Sequence, residues 1–347
     1  MINKINNKIS VGIIGKNFGY NVIYKALLKN KLFKVKSFCF REKKNIPSLP
    51  KNIKIFTDWK KIIKDKSINA IIVSTPPFIQ KKILSFAIKN NKHIFCEKPC
   101  TKSEKELSQV LKLLSKKNSF VSHMVNYTIA YLPAFQFLKK KILEKNIIIK
   151  EAELEWIIFN KSNNINWKNY HDKGGGILFN FYCHTLYYLE LLFGDMHSTK
   201  VDINNKAKSK NNYVIGDIVF SSGLKVKIKI LVGDLNKHKK SIHQLKVQTL
   251  KNEQFVLSSS TKNLSDQFQL HKIKNIKNLK YKKPIFTSKI LKKDFRISPT
   301  LFNLKRFAVS IHKKKIDRSS FFTANHIHSV INKSIISSKK KKRIIIN

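Results

Sequence analysis

Cysteine, arginine and acidic residues are all scarce in this chain of 347 residues, and each scarcity excludes a class of protein. The chain has 4 cysteines, too few for a disulfide-built fold of this size, and no two form a CxxC pair, which argues against a zinc ribbon. Residues 1–10 carry no apolar core of a signal peptide, so we expect no secretory signal. The longest weakly charged stretch, 174–194, contains His184 and Glu190 and predicts no membrane span. We therefore expect a cytoplasmic protein, and the length favours two domains.

The shortage of acid leaves a large positive charge, because 70 Lys and Arg face 20 Asp and Glu, a net charge of +50. One interpretation is a nucleic-acid partner. The other is compositional drift, since Lys, Asn, Ile and Phe, all with A/T-rich codons, are abundant. We favour drift, because base readout prefers Arg and the lysines are spread along the chain. We expect no specific nucleic-acid partner, and we interpret the basic run 339–343 as a solvated tail.

The pattern of residues 1–125 predicts a doubly wound α/β domain. Short runs that are apolar throughout, at 11–14, 35–40, 70–74, 93–96 and 120–125, are separated by helical stretches. Strands that are apolar on both faces indicate a parallel sheet covered by helices on both sides. We predict a dinucleotide-binding domain over residues 1–125.

Residues 126–347 predict a second domain with a different sheet. The segments 224–230 and 244–250 alternate apolar and polar residues, which favours an open, largely antiparallel sheet with one wet face. Lys225, Lys227 and Lys229 share one side of a strand, so a homo-oligomer through this Lys-lined face is doubtful, since like charges would be buried together. Lysines at the rim, an intervening anion and a monomer remain as alternatives.

The turn after the first strand has glycines where a dinucleotide fold places them. Gly15, Asn17, Phe18 and Gly19 connect the strand to a helix, so backbone N–H groups can approach a pyrophosphate. Asn17 replaces a glycine of the usual pattern, but Asn tolerates positive φ. The alternative is a plain strand–helix turn. Arg41 follows the second strand and favours NADP over NAD, while the neighbouring Glu42 favours NAD.

Three further segments, which make up two motifs, carry a family resemblance. Thr75-Pro76-Pro77 follows one strand, Glu97-Lys98-Pro99 follows the next, and a glycine run at 174–176 is followed by Asn180 and His184. Together these resemble the Gfo/Idh/MocA oxidoreductases, whose second motif is most often a glycine run followed by D-x-x-x-H. The chain departs from that pattern at Asn180.

The resemblance implies a Rossmann domain followed by an α/β domain with an open sheet. It implies an NAD(P)-dependent dehydrogenase or reductase acting on a sugar, a sugar derivative or a polyol. It also implies that Glu97 contacts the nicotinamide ribose, that Lys98 lies beside the reacting oxygen, and that the Lys98–Pro99 peptide is often cis. Ser74, Thr75 and Pro76 would line the nicotinamide side.

The residue chemistry agrees with that reaction, which needs a base near the substrate oxygen. Lys98, desolvated and facing a cationic nicotinamide, would have a lowered pKa, and His184 titrates near neutral pH without tuning. Asn180 can orient His184 but cannot stabilise its cation. Tyr182, Tyr187 and Asn126 are candidate substrate contacts. The alternative function is a nucleotide-binding protein whose catalysis is weakened or lost, motivated by Asn17 and Asn180.

Overall fold

The structure is a computed structural model that describes residues 8–42, 44, 46–144, 146–159, 166–207, 211–233, 241–261, 268–273, 286–287 and 294–346. The expectation of no secretory signal concerns residues 1–10, of which 1–7 lie outside this described part. Among the residues described, no helix is both long enough and apolar enough to cross a membrane.

Strands and helices alternate in the first half of the chain. The strands are β1 (Ile9–Ile14), β2 (Phe33–Cys39), β3 (Lys54–Phe56), β4 (Ala70–Val73), β5 (His93–Glu97) and β6 (His123–Asn126). The helices are α1 (Lys25–Leu28), which continues a π-helical turn at Gly19–Tyr24, then α2 (Trp59–Lys64), α3 (Pro77–Lys89) and α4 (Glu104–Ser115).

Strands predominate in the second half. The helices are α5 (Pro133–Glu144), α6 (Cys183–Phe193), which follows a π-helical turn at Leu178–Tyr182, α7 (Ile297–Lys313) and α8 (Phe321–Lys340). The strands are β7 (Ile149–Phe159), β8 (Met196–Asn204), β9 (Asn211–Phe220), β10 (Lys225–Gly233), β11 (Ser241–Thr249), β12 (Gln254–Thr261), β13 (Gln269–Ile273), β14 (Phe286–Thr287) and β15 (Ile344–Ile345).

The chain forms two compact units, and the first combines Met1–Thr128 with Arg296–His326. Its six-stranded sheet has the order β3-β2-β1-β4-β5-β6, and every neighbouring pair is parallel. All four residues of β4 are buried, as expected for a strand covered on both faces. The prediction of a doubly wound parallel sheet is confirmed.

One face of this sheet packs against a helix from far along the chain. Phe307 of α7 lies with its ring centroid 5.5 Å from that of Phe95 in β5 and 6.4 Å from that of Phe33 in β2. Leu304 and Ala308 join the same buried cluster as Val11. A domain boundary at residue 125, as predicted from the sequence, leaves α7 out of the first unit. α7 joins that unit because its apolar stripe covers the sheet.

The second unit combines Ile129–Phe295 with Ile327–Asn347. Its described strands form a nine-stranded sheet in the order β14-β13-β12-β11-β7-β10-β9-β8-β15. Among the described strands of this sheet, β10 and β7 pair in parallel and the other neighbouring strands pair antiparallel. The first six residues of β10 alternate exposed lysines with buried Val226, Ile228 and Ile230. The prediction of a largely antiparallel sheet with one wet face is confirmed.

The wet face of that sheet is not lined by lysine alone. Lys227 lies in register between Asp217 of β9 and Glu153 of β7. Lys229 Nζ lies 2.8 Å from Glu155 Oε1, and Lys225 Nζ lies 3.5 Å from Asp217 Oδ2. Acidic side chains on the neighbouring strands therefore lie opposite the lysines and pair with two of them. These contacts offset part of the positive charge of the face, and the oligomeric state stays a prediction.

The lysines of the basic run 339–343 are exposed, as expected for a solvated segment, but the end of the run is tied to the sheet of the second unit. Lys341 Nζ lies 2.7 Å from Asp202 Oδ1, and Arg343 pairs with Asp217. The short strand β15 then pairs with the edge strand β8. Residues 341–345 thus close the edge of the sheet of the second unit, because acidic side chains on β8 and β9 attract this basic segment.

Candidate functional site

The turn after β1 is closed by a glycine that other residues cannot replace. Gly15 has φ +121°, and a Cβ at this position would lie 2.2 Å from the carbonyl oxygen of Ser74. Its N–H donates to the carbonyl of Cys39 at the end of β2, with an N···O distance of 3.1 Å. The carboxyl ends of β1, β2 and β4 therefore meet around Gly15, at the point where the strand order reverses. In doubly wound sheets this is where ligands bind.

A helix begins directly after Gly15. Asn17 and Phe18 lie in its first turn, and Asn17 is not among the positive-φ residues, so the turn needs left-handed backbone only at Gly15. No acidic side chain lies in the first turn of the helical segment from Gly19. The unbonded N–H groups of a helix start attract anions such as a pyrophosphate.

The segment after β4 contributes an unsatisfied hydroxyl. Ser74 N–H donates to the carbonyl of Ile14, which holds this segment against β1, and the buried Gln80 side chain donates to the carbonyl of Thr75. The Thr75 hydroxyl is buried and, within the described residues, has no hydrogen-bond partner. An anion-binding helix start, a glycine at close approach and this hydroxyl together fit a dinucleotide coenzyme.

Arg41 and Glu42 follow β2 and are both exposed. β2 is the parallel neighbour of β1, so the two side chains emerge beside the glycine turn. This is the position from which a Rossmann domain contacts the ribose that carries the 2′-hydroxyl or the 2′-phosphate.

The Glu97-Lys98-Pro99 motif begins at the end of β5. Because Val73 of β4 pairs in parallel with Cys96 of β5, Thr75 and Glu97 leave the same edge of the sheet from adjacent strands. The Lys98–Pro99 peptide is cis, as the family resemblance implies. The Lys98 side chain is half-buried.

Glu97 is held by an amide from the next strand. Asn126 Nδ2 lies 2.6 Å from Glu97 Oε1 and donates to it. Burial raises the pKa of Glu97 to about 7, although the Asn126 hydrogen bond and the nearby charges of Lys98 and Arg296 act in the opposite direction. Glu97 is therefore a carboxyl group that changes its protonation near neutral pH.

α7 brings to this edge residues that no motif in the sequence predicts. Thr300 and Asn303 are fully buried against Asn126, and Arg296 lies with its guanidinium 5.1 Å from the ring centroid of Phe18. The available signal was the apolar spacing of Leu304, Phe307 and Ala308, which is typical of a helix. Nothing in that spacing shows which strands the helix covers.

The glycine run of the second unit is packed against its own turn. A Cβ at Gly175 would lie 2.5 Å from the carbonyl oxygen of Trp167, and Gly176 has φ +72°. The Asn205 side chain accepts a hydrogen bond from Ile177 N–H at the start of the helix. The glycines thus allow the 167–177 segment to fold tightly before α6.

Asn180 has a structural hydrogen bond that an aspartate could not make. Its Nδ2 donates to the carbonyl of Lys168, at 2.7 Å, and so ties the π-helical turn to the 3₁₀ turn at Trp167–Asn169. A carboxylate in this place would offer no donor. The departure from the commonest family motif therefore has a physical reason in this chain.

The other predicted residues of the second unit lie on or beside α6. His184 is buried at 7% exposure. Tyr182 OH bonds the Ser334 hydroxyl, and Tyr187 OH bonds Tyr131 OH, all within buried surroundings. These tyrosine hydroxyls are engaged in the core, which argues against substrate contacts. Asn126 is likewise buried, in the first unit.

The first unit brings the predicted coenzyme residues to one edge of its sheet. They are Gly15, Asn17, Phe18 and Gly19 after β1, Arg41 after β2, Ser74, Thr75 and Pro76 after β4, Glu97 at the end of β5 and Lys98 directly after it. Asn180 and His184 belong to the second unit.

Two family models match the chain. The oxidoreductase family model with an NAD-binding Rossmann fold matches residues 9–125, and the model of the C-terminal alpha/beta domain of the same family matches residues 140–248. The chain belongs to the Gfo/Idh/MocA family. The resemblance inferred from the two motifs is confirmed, and the Gfo/Idh/MocA assignment covers both units.

Curated relatives of this Gfo/Idh/MocA chain are distant. It is 24% identical over 204 residues to an uncharacterized oxidoreductase of Synechocystis, covering 56% of this chain and 54% of that protein. It is 24% identical over 202 residues to the 2,7-anhydro-N-acetylneuraminate hydratase of Escherichia coli, covering 55% and 51%. Levoglucosan dehydrogenase of Pseudarthrobacter phenanthrenivorans is 33% identical over 88 residues, 25% and 22% of the two chains. The chain spans about half the length of the first curated relatives it matches.

Solved structures match over the whole length. A levoglucosan dehydrogenase in complex with NADH and L-sorbose superimposes with a TM-score of 0.79 at 15% identity, covering 98% of this chain and 99% of that chain. An NAD binding oxidoreductase from Klebsiella pneumoniae gives a TM-score of 0.77 at 13% identity, covering 98% and 100%. At this identity the likeness establishes the fold.

Proposed function

We propose that this protein is an NAD(P)-dependent dehydrogenase or reductase that acts on a sugar, a sugar derivative or a polyol. The observation that carries the proposal is the meeting of Gly15, Thr75 and Glu97 at one sheet edge in a chain of this family. The bound nicotinamide accepts or supplies the hydride. Relatives named as a levoglucosan dehydrogenase and as a 2,7-anhydro-N-acetylneuraminate hydratase support a carbohydrate-like substrate.

The predicted coenzyme-site residues of the first unit have the following proposed roles. The N–H groups of the helix start after Gly15 bind the pyrophosphate, with Asn17, Phe18 and Gly19 shaping the turn. Ser74, Thr75 and Pro76 line the nicotinamide side, and Glu97 accepts hydrogen bonds from the nicotinamide ribose. These roles use the acceptor and backbone-donor groups that the edge of the sheet exposes.

Lys98 has the proposed role of proton carrier. In the oxidising direction Lys98 Nζ, in its neutral form, would take the proton of the substrate hydroxyl, and in the reducing direction it would return that proton; a bound nicotinamide would carry the hydride. His184, oriented with help from Asn180, is proposed as a second proton-exchanging group. The prediction that Lys98 and His184 serve one reaction is tested by a double-mutant cycle, in which independent residues would give additive losses.

A matched pair of lysine variants tests the enzyme assignment. Against a panel of sugars and polyols, we expect Lys98→Ala to lower turnover by about 10²–10⁴-fold while coenzyme binding, followed by nucleotide fluorescence, is retained. Lys102→Ala, which removes a half-buried lysine four residues on that pairs with Glu106, should leave turnover unchanged. Wild-type turnover in Lys98→Ala would refute the role.

The choice between NADP and NAD is a separate proposal. The exposed Arg41 beside the glycine turn supports NADP, since a guanidinium can bind a 2′-phosphate in two hydrogen bonds. We expect Arg41→Ala to weaken NADPH binding by about 10-fold or more and to leave NADH binding unchanged. Tighter binding of NADH than NADPH by the wild-type protein would contradict the assignment.

The second candidate function is a nucleotide-binding protein that has lost catalysis. The residue at position 180 favours it, because Asn180 is an amide whose nitrogen bonds the Lys168 carbonyl, so the position has no carboxylate that could stabilise an imidazolium. Tight nucleotide binding with no hydride transfer across the whole panel would establish this alternative.

A further inference from the structure

A chain of buried amides leads from Glu97 into the interior of the first unit. Asn126 Nδ2 donates to Glu97 Oε1 at 2.6 Å and to the Thr300 hydroxyl at 3.2 Å. Asn303 Nδ2 donates to Asn126 Oδ1 at 2.9 Å, and Arg306 Nη1 donates to Asn303 Oδ1 at 3.2 Å. Asn126, Thr300 and Asn303 are all fully buried, so water does not substitute for these bonds.

The arginine at the end of this chain fixes the direction of every bond in it. A guanidinium has only donors, so the atom of Asn303 that faces Arg306 must be the oxygen. The nitrogen of Asn303 then faces Asn126, whose oxygen must accept, and the nitrogen of Asn126 is left to donate to Glu97. Arg306 is itself held by Asp317 and by the Ser319 hydroxyl.

We propose that Asn303 is a positioning residue of the coenzyme site, which fixes the direction of the Asn126 amide and so keeps Glu97 a hydrogen-bond acceptor. The assignment rests on the proposed function of Glu97 as a coenzyme ligand. Asn303 acts only through Asn126.

The role matters because Glu97 changes its protonation near neutral pH. The charged and titratable groups that act on Glu97 are Lys98 on its own segment, Arg296 at the start of α7 and the buried Cys96 thiol. Lys98 and Arg296 favour the carboxylate, while burial opposes it. A donor that faces Oε1 also stabilises the carboxylate and lowers the pKa of Glu97. An acceptor in the same place would destabilise the carboxylate and raise that pKa.

Replacing Asn303 by aspartate reverses the chain without changing its shape. The new carboxylate would have acceptors only, so Asn126 would turn its nitrogen toward position 303 and its oxygen toward Glu97. We expect Asn303→Asp to raise the pKa of Glu97 by about one to two units, measured by carboxyl ¹³C NMR on coenzyme-free protein labelled at glutamate, with Glu97→Gln assigning the signal.

Two further variants separate direction from charge. Asn303→Leu removes the donor to Asn126 without adding charge, and we expect a smaller rise in the pKa of Glu97. Asn325→Asp makes the same charge change where the Asn325 oxygen accepts from Ser108, so its bond survives and Glu97 should titrate as in wild type. A rise in Asn303→Asp with none in Asn303→Leu, or no rise in either variant, would overturn the proposal.

A coenzyme titration then distinguishes the positioning role of Asn303 from the proposed coenzyme-binding role of Glu97. If Glu97 binds the coenzyme as carboxylate, the pH at which NADPH or NADH affinity changes should move upward with the pKa in Asn303→Asp, and stay in place in Asn325→Asp. A shifted Glu97 titration with no coenzyme bound at any pH would overturn the proposed function and leave the direction of the chain standing. If the coenzyme binds but the pH dependence of its affinity does not follow the pKa of Glu97, the positioning role is overturned.

Discussion

Asn126 and Glu97 are register partners on the neighbouring parallel strands β6 and β5, and their side chains are joined by a hydrogen bond of 2.6 Å. The pair lies at the carboxyl edge of the sheet of the first unit, one strand away from the segment that carries Thr75. A partly buried carboxyl group is thus held by the Asn126 amide, together with a backbone hydrogen bond from Lys98, at the place where a Rossmann domain binds its ligand.

The buried carboxyl of Glu97 should reduce stability at alkaline pH. Its pKa is about 7 in the folded protein against 4.5 as a free side chain, so the folded state holds the proton more tightly. The stabilising contribution is present below the unfolded value and is lost as the pH rises through about 7. We expect Glu97→Gln to gain about 2 kcal/mol of unfolding free energy, relative to wild type, at pH 8 compared with pH 5. Urea unfolding at both pH values measures this, and an equal difference at the two would contradict it.

Gly15 should tolerate no side chain, because a Cβ there meets the Ser74 carbonyl oxygen at 2.2 Å and φ is +121°. We expect Gly15→Ala to lower the free energy of unfolding by about 3 kcal/mol or more and to weaken coenzyme binding. Gly223→Ala is the control, since Gly223 has φ +84° with nothing within 4 Å of a Cβ. It should show only the backbone cost of about 1 kcal/mol. Equal effects of the two changes would refute the steric argument.

His243 should make the second unit sensitive to acid. It is buried beside Trp156, with ring centroids 4.1 Å apart, and burial lowers its pKa to about 3 from 6.5. The unfolded chain therefore binds the proton first, and stability falls as the pH drops from about 6.5 toward 3. Replacing His243 with Phe or with Gln should each remove about 3 kcal/mol of the loss between pH 7 and pH 4. Acid unfolding followed by circular dichroism would show it, and a wild-type pH slope in both variants would exclude it.

Changing Asn180 to aspartate, the commonest family residue at this position, should destabilise the protein. Asn180→Asp removes the donor to the Lys168 carbonyl and should lower the free energy of unfolding by about 1–2 kcal/mol at pH 8. Asn325→Asp is the matched control, because Asn325 accepts its hydrogen bond and aspartate can accept it too. Thermal melting of the two variants tests the difference. Equal melting temperatures would show that the Asn180 amide contributes nothing.

The sequence by itself determined the local elements and the motifs. Runs such as 70–73 are apolar on both faces and form buried parallel strands, and the alternation in 225–230 forms a strand with one wet face. The glycine after β1 is predicted because backbone geometry restricts which residues fit a strand–helix turn at a pyrophosphate, and the Glu97-Lys98-Pro99 segment is identified by its resemblance to a family motif. These signals are local, so a linear pattern carries them.

The tertiary structure alone decided what surrounds those motifs. Glu97 bonds Asn126 of β6, which in turn bonds Asn303 of α7, 177 residues further along the chain. The lysines of β10 lie opposite acidic residues of β7 and β9. Arg343, which the sequence placed in a solvated tail, closes a sheet edge on Asp217. Each of these contacts depends on which helix covers which strand and on strand register. Both are set by the packing of apolar faces, which fixes positions in space without leaving a signature at the polar residues that meet there.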